Sequence, residues 1–148
     1  MQLDLNQVKK IKMKAVNVAF NAGSNEERQF EECKVMYDKF QKCISKQIDC
    51  SNPQEIISHL TEISSMLAMG AVCKATLEYL TDKLATKAMM NIKDEEGSAN
   101  ERKVMLSFAI GDCSFYNNVM ELLIKEAHYK IEILRTSLSY CKSELALS

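Results

Sequence analysis

His59 is where the sequence first invites a chemical reading. Glu55 lies four positions before it and Glu62 three after, so a helix through this segment brings all three near one face. An imidazole flanked by two carboxylates can hold a divalent cation. Di-iron bundles, however, take a Glu-x-x-His motif from each of two helices, and neither His59 nor His128 has a glutamate three residues earlier. The spacing therefore predicts a surface Glu/His cluster supported by i,i+4 pairing rather than a metal centre. His128, between Ala127 and Tyr129, reads as a residue at the edge of a buried face.

The thiols point the same way. Cys33, Cys43, Cys50, Cys73, Cys113 and Cys141 follow one another at separations of 10, 7, 23, 40 and 28 residues, with no close C-x-x-C type pair to seed a zinc site. A nucleophilic cysteine needs a base or a helix N-terminus to lower its pKa. Cys50, beside Asp49 and just ahead of a helix start, is the thiol expected to be exposed, in an unreactive loop role. Phosphate-cradling glycine loops and the nucleophile elbow are absent. The residues thus predict no catalytic set, no metal ligands, no cofactor and a non-enzymatic protein.

The elements that position these side chains follow from scarcity. Among 148 residues there are only four glycines and one proline, with 47% hydrophobic and 26% charged residues and a net charge of −1. An all-β domain needs a turn every 8–12 residues or so, which this chain cannot supply, and its apolar content excludes wholesale disorder. Three interruptions carry one start signal: Ser24 three residues before Glu27, Asn52 before Glu55 with Pro53 between, and Ser98 before Glu101. In each, a short side chain can cap the amide three residues on while the glutamate reaches back. Four helices are predicted, over about 3–22, 25–48, 53–91 and 99–146. Three- and four-residue steps support them, as in Phe30, Cys33, Tyr37, Phe40 and Ile44.

The last two helices would span about 55 and 70 Å if straight. The expected architecture is all-α, one domain over 1–148: an elongated four-helix arrangement dominated by a long antiparallel, coiled-coil-like hairpin. With the turn at 92–98, residue i faces about 190 − i, which sets Gly70 opposite Met120 and Gly111 opposite Tyr79. Both glycines are read as packing notches in continuous helices. The nine methionines are read as gap-filling core. No run of about 18 uncharged apolar residues and no secretory h-region occurs, which predicts no membrane span and reduced cysteines in a cytoplasmic protein.

Function is then sought in surfaces. Val119, Leu123, Ile131, Leu134, Leu138 and Leu145 outrun the partner helix and are expected to contact a protein partner or a second copy, giving a homo-oligomeric scaffold, adaptor or chaperone-like assembly protein. Lys9, Lys10, Lys12 and Lys14, with Lys34, Lys39, Lys42 and Lys46, offer a basic stripe that nucleic acid would use. The pI near 6.1 and the lack of interleaved aromatics make that the alternative. The segments Lys74-Ala75-Thr76-Leu77-Glu78-Tyr79 and Lys103-Val104-Met105-Leu106-Ser107 resemble the small helical recombination mediators of tailed phages. That resemblance covers the hairpin and implies an oligomer that helps load a recombinase on single-stranded DNA.

Overall fold

Capping side chains decide where each helix begins. A computed structural model describes residues 4–9, 20–92 and 98–148. Ser24 Oγ accepts the Glu27 amide at 3.2 Å, and Glu27 returns to accept the Gly23 amide at 2.6 Å. Asn52 Oδ1 accepts the Gln54 amide at 3.1 Å, while Glu55 reaches back to the Asp49 amide at 2.9 Å. Ser98 and Glu101 cap each other, at 3.2 and 2.9 Å. Each bond satisfies an amide that has no partner within the helix. All three start signals in the sequence are thus used.

The helices that follow are α1 (Asn25–Ser45), α2 (Pro53–Ile92) and α3 (Ala99–Leu147). Residues 5–9 are also helical, and the described residues contain no strand. The protein is all-α. Two boundaries differ from the expectation. Residues 20–24 form a turn instead of ending a helix at 22: Gly23 takes a φ of +72°, and the Ser24 amide bonds back to Asn21. The left-handed conformation is open to glycine at little cost. The remainder of the predicted first helix, 10–19, lies outside the described residues, as does the turn at 93–97.

α1 ends at Ser45 rather than 48 because its last carbonyls are taken by a side chain. The Lys130 ammonium donates to the Ile44 carbonyl and, at 2.9 Å, to the Lys46 carbonyl. A cation on the exposed carbonyls of a helix C-terminus also complements the helix dipole. The following loop is held by the Cys141 thiol, which donates to the Cys50 and Ser51 carbonyls at 3.5 and 3.8 Å.

Contacts divide the chain into two compact units. Unit 1 comprises 1–32 and 76–117, and unit 2 comprises 33–75 and 118–148. In unit 1, Ala88 packs with Met105, and Leu80, Leu84 and Cys113 form a second cluster against Phe20, Phe30 and Ile110. Phe30 stacks edge-on against Tyr116 at 5.7 Å. In unit 2 the largest fully buried side chains include Phe40, Ile56, Ile63, Met120 and Leu134. One 18-residue window of α2 has a mean hydropathy of 1.4, long and apolar enough to cross a membrane by length and composition. That window includes charged side chains, so it is not an uninterrupted uncharged run, and the core helix of a soluble protein passes the same test.

Both interior glycines lie within continuous helices, yet only one is a notch. A Cβ on Gly70 would lie 2.8 Å from the Phe40 ring and 3.7 Å from Met120 Sδ, so the expected Gly70–Met120 pairing is present and Phe40 tightens it. Gly111 has nothing within 4 Å of its Cβ position among the described residues, and Tyr79 is exposed. The Gly111–Tyr79 notch is therefore a misreading: Ile110 and Cys113 meet the unit 1 core, and Gly111 lies to one side of them. Gly70→Leu should lower stability by about 1–3 kcal/mol through overpacking, with helical content unchanged by circular dichroism. Gly111→Ala should leave the melting temperature unchanged or raise it, by up to about 1 kcal/mol of stability. Equal losses from both would contradict this packing.

Candidate functional site

Unit 2 gathers three side chains that the sequence kept apart. Cys43 comes from the last turn of α1, and His59 and Glu62 sit three residues apart on α2. Their ligand-type atoms lie within 4.8 Å of one another. His59 is only 1% exposed, and its Nδ1 stands 3.4 Å from Glu62 Oε2. The same carboxylate receives the Lys46 ammonium at 3.3 Å. His59 Nε2 is buried and has no hydrogen-bond partner among the described residues.

The electrostatics follow from burial and from Glu62. Desolvation pushes the Cys43 thiol upward, and the neighbouring Glu62 charge adds to this. Desolvation lowers the His59 pKa, opposed by its bond to Glu62. Glu62 falls below the ordinary carboxylate value, first through His59 and then through Lys46. A protonated thiol beside a neutral imidazole is a poor nucleophile.

This corrects the reading of His59 as a surface residue. It is buried, and Glu55 is engaged in capping the Asp49 amide instead of pairing with it. Sequence reasoning missed Cys43. Its position three residues after Phe40 marked only an apolar face, and nothing local pointed to His59. Cys33, Cys43, Cys113 and Cys141 are buried, Cys73 is half-buried, and Cys50 is exposed, as expected.

The expected contact residues on α3 divide. Leu123, Ile131 and Leu134 are buried within the chain, Val119 and Leu138 are half-buried, and Leu145 is exposed. The stripe read as reaching another molecule is in large part core, because an apolar heptad looks the same whichever partner covers it. Among the exposed apolar side chains of α3 in unit 2, Leu122, Tyr129, Ile133, Tyr140 and Leu147 fall at steps of 7, 4, 7 and 7 residues, with Leu145 off that row; the three at 122, 129 and 140 are 63–67% exposed. A groove of about 270 Å³ beside them is lined by Ile48, Cys50, Tyr129, Lys130 and Ile133.

The basic stripe is only partly in view. Lys9, Lys39 and Lys42 are exposed, Lys34 is half-buried, and Lys46 is paired with Glu62. Lys10, Lys12 and Lys14 lie outside the described residues. No protein family matches this chain, and neither does any characterised protein or solved structure.

Unit 1 carries a separate open groove of about 640 Å³, with Glu26, Tyr79, Lys83 and Lys87 among its lining residues. Lys83 donates to the Glu26 carboxylate and, at 3.2 Å, to the Tyr79 hydroxyl. The Lys83 bond holds Glu26 below its ordinary 4.5, and the same bond raises Lys83 above its ordinary 10.5. A lowered carboxylate contributes stability that is present above 4.5 and lost as pH falls through its folded value. The raised lysine keeps its share below 10.5 for as long as Glu26 stays ionised, since one pair causes both shifts. Glu26→Gln should therefore melt below the parent protein at pH 7, with the difference shrinking as pH falls below 4.5. A gap that persists in acid would assign the effect to something other than this pair.

Proposed function

We propose that this protein is a non-enzymatic helical scaffold whose α3 pairs with a second copy of the chain, making it a homo-oligomeric adaptor or assembly protein. The outward row on α3 in unit 2 carries the reading. Steps of seven and four keep Leu122, Tyr129, Ile133, Tyr140 and Leu147 on one side of a helix, the seam that a coiled coil buries. Large apolar side chains contiguous along a surface are uncommon unless something covers them.

The flanking charge favours a second copy over nucleic acid. Residues 118–148 hold four basic side chains, at 125, 130, 135 and 142, and four acidic ones, at 121, 126, 132 and 144. Lys125 is already paired with Glu121 at 3.1 Å. A surface of balanced sign can meet its own copy with opposite charges facing. A phosphate backbone would meet a carboxylate for every cation. Antiparallel pairing of α2 with α3 is part of the same proposal. It is supported in unit 1 by Ala88 with Met105 and by Leu80 and Leu84 with Cys113, which rise along one helix as they fall along the other.

Light scattering coupled to size exclusion should give a mass of at least two chains. Leu122→Lys with Tyr140→Glu should return it to one chain, without loss of helical signal because both side chains are exposed. A wild-type monomer at every concentration would overturn the reading. So would tight, salt-sensitive binding of a single-stranded DNA by the purified protein, which would favour the recombination-mediator alternative and its lysines.

A further inference from the structure

We propose that Cys43, His59 and Glu62 form a zinc site that ties the end of α1 to α2 within unit 2. The donors are a sulfur, an imidazole nitrogen and a carboxylate oxygen, all within 4.8 Å of one another. That combination lies within zinc's usual ligand set and is too soft for calcium or magnesium, which take oxygen ligands. The i,i+3 spacing of His59 and Glu62 presents both from one face of α2, and Cys43 closes the set from another helix.

Burial makes the cluster more than a chance meeting of polar groups. Cys43 and His59 are both buried, and the imidazole's Nδ1 stands a long 3.4 Å from Glu62. Its other nitrogen has no hydrogen-bond partner among the described residues. A buried nitrogen left in that state costs free energy, and no tight hydrogen-bond network has to be broken for the ring to ligate. Glu62 is the solvent-facing member, with its side chain 40% exposed, so the ion enters from that side and water completes four-coordination. Binding breaks the Cys43 S–H bond, releases its proton to solvent and forms a sulfur–zinc bond; nothing is oxidised or reduced. The thiolate and carboxylate then cancel the charge of the ion. This matters because Lys46 and Lys130 stand nearby: Lys46 is half-exposed and can release Glu62 to solvent, and Lys130 stays on the α1 carbonyls.

The test is cobalt titration of chelator-stripped protein. Wild type should develop a thiolate-to-cobalt charge-transfer band that saturates at one equivalent and disappears on adding zinc, and zinc should raise the melting temperature. Cys43→Ser should lose the band, and Cys50→Ser should keep it. Glu62→Gln, at a half-exposed position where the fold is least at risk, should weaken cobalt binding by at least about tenfold. Folded wild-type protein with no band, a band that survives Cys43→Ser, or full affinity in Glu62→Gln would each overturn the site.

Discussion

A buried row repeats every seven residues along α3: Cys113, Met120, Ala127, Leu134 and Cys141 are all withdrawn from solvent. Much else depends on it. A helix whose inward face keeps a seven-residue period has its outward face fixed as well, so burying this row turns Leu122, Tyr129, Ile133 and Tyr140 outward. It also places Met120 against Gly70, where the missing side chain admits the Phe40 ring. Small and large residues interlock there because α2 passes too close for a Cβ.

Polar groups at the helix ends are handled by side chains both near and far in sequence. The N-termini use their own first turns, through Ser24, Asn52 and Ser98 with the glutamates that follow them. The C-terminus of α1 and the loop after it depend on α3, through the Lys130 ammonium and the Cys141 thiol. Unit 2 is thus joined by directional bonds as well as by apolar packing. Lys130 on the α1 carbonyls and Lys46 on Glu62 surround the Cys43–His59–Glu62 cluster with fixed charge. Removing solvent from that cluster raises the thiol and lowers the imidazole, the direction expected when charged forms lose water.

Two readings of function draw on different parts of one helix. The scaffold reading uses the exposed side of α3, where apolar residues are flanked by charges of both signs. The zinc reading uses the interior of unit 2 and needs no partner. They are compatible, since an ion joining α1 to α2 leaves the outward row of α3 untouched.

The sequence by itself determined the all-α class, the starts of three helices and the continuity of α2 and α3 through their glycines. Those features depend on residues within a turn or two of each other: an oxygen three positions before an amide, a Pro at a first turn, a lack of breakers. It also marked Gly70 as facing Met120, a pairing the packing shows. Tertiary structure decided what each apolar or ionisable residue met. Leu123, Ile131 and Leu134 have the same spacing whether this chain or another covers them, and only packing shows that this chain does. Gly111 needed its surroundings to be seen as an open site. His59 was legible as a neighbour of Glu62 but not as a buried group, because Cys43, sixteen positions earlier, is brought to it by the packing of one helix on another.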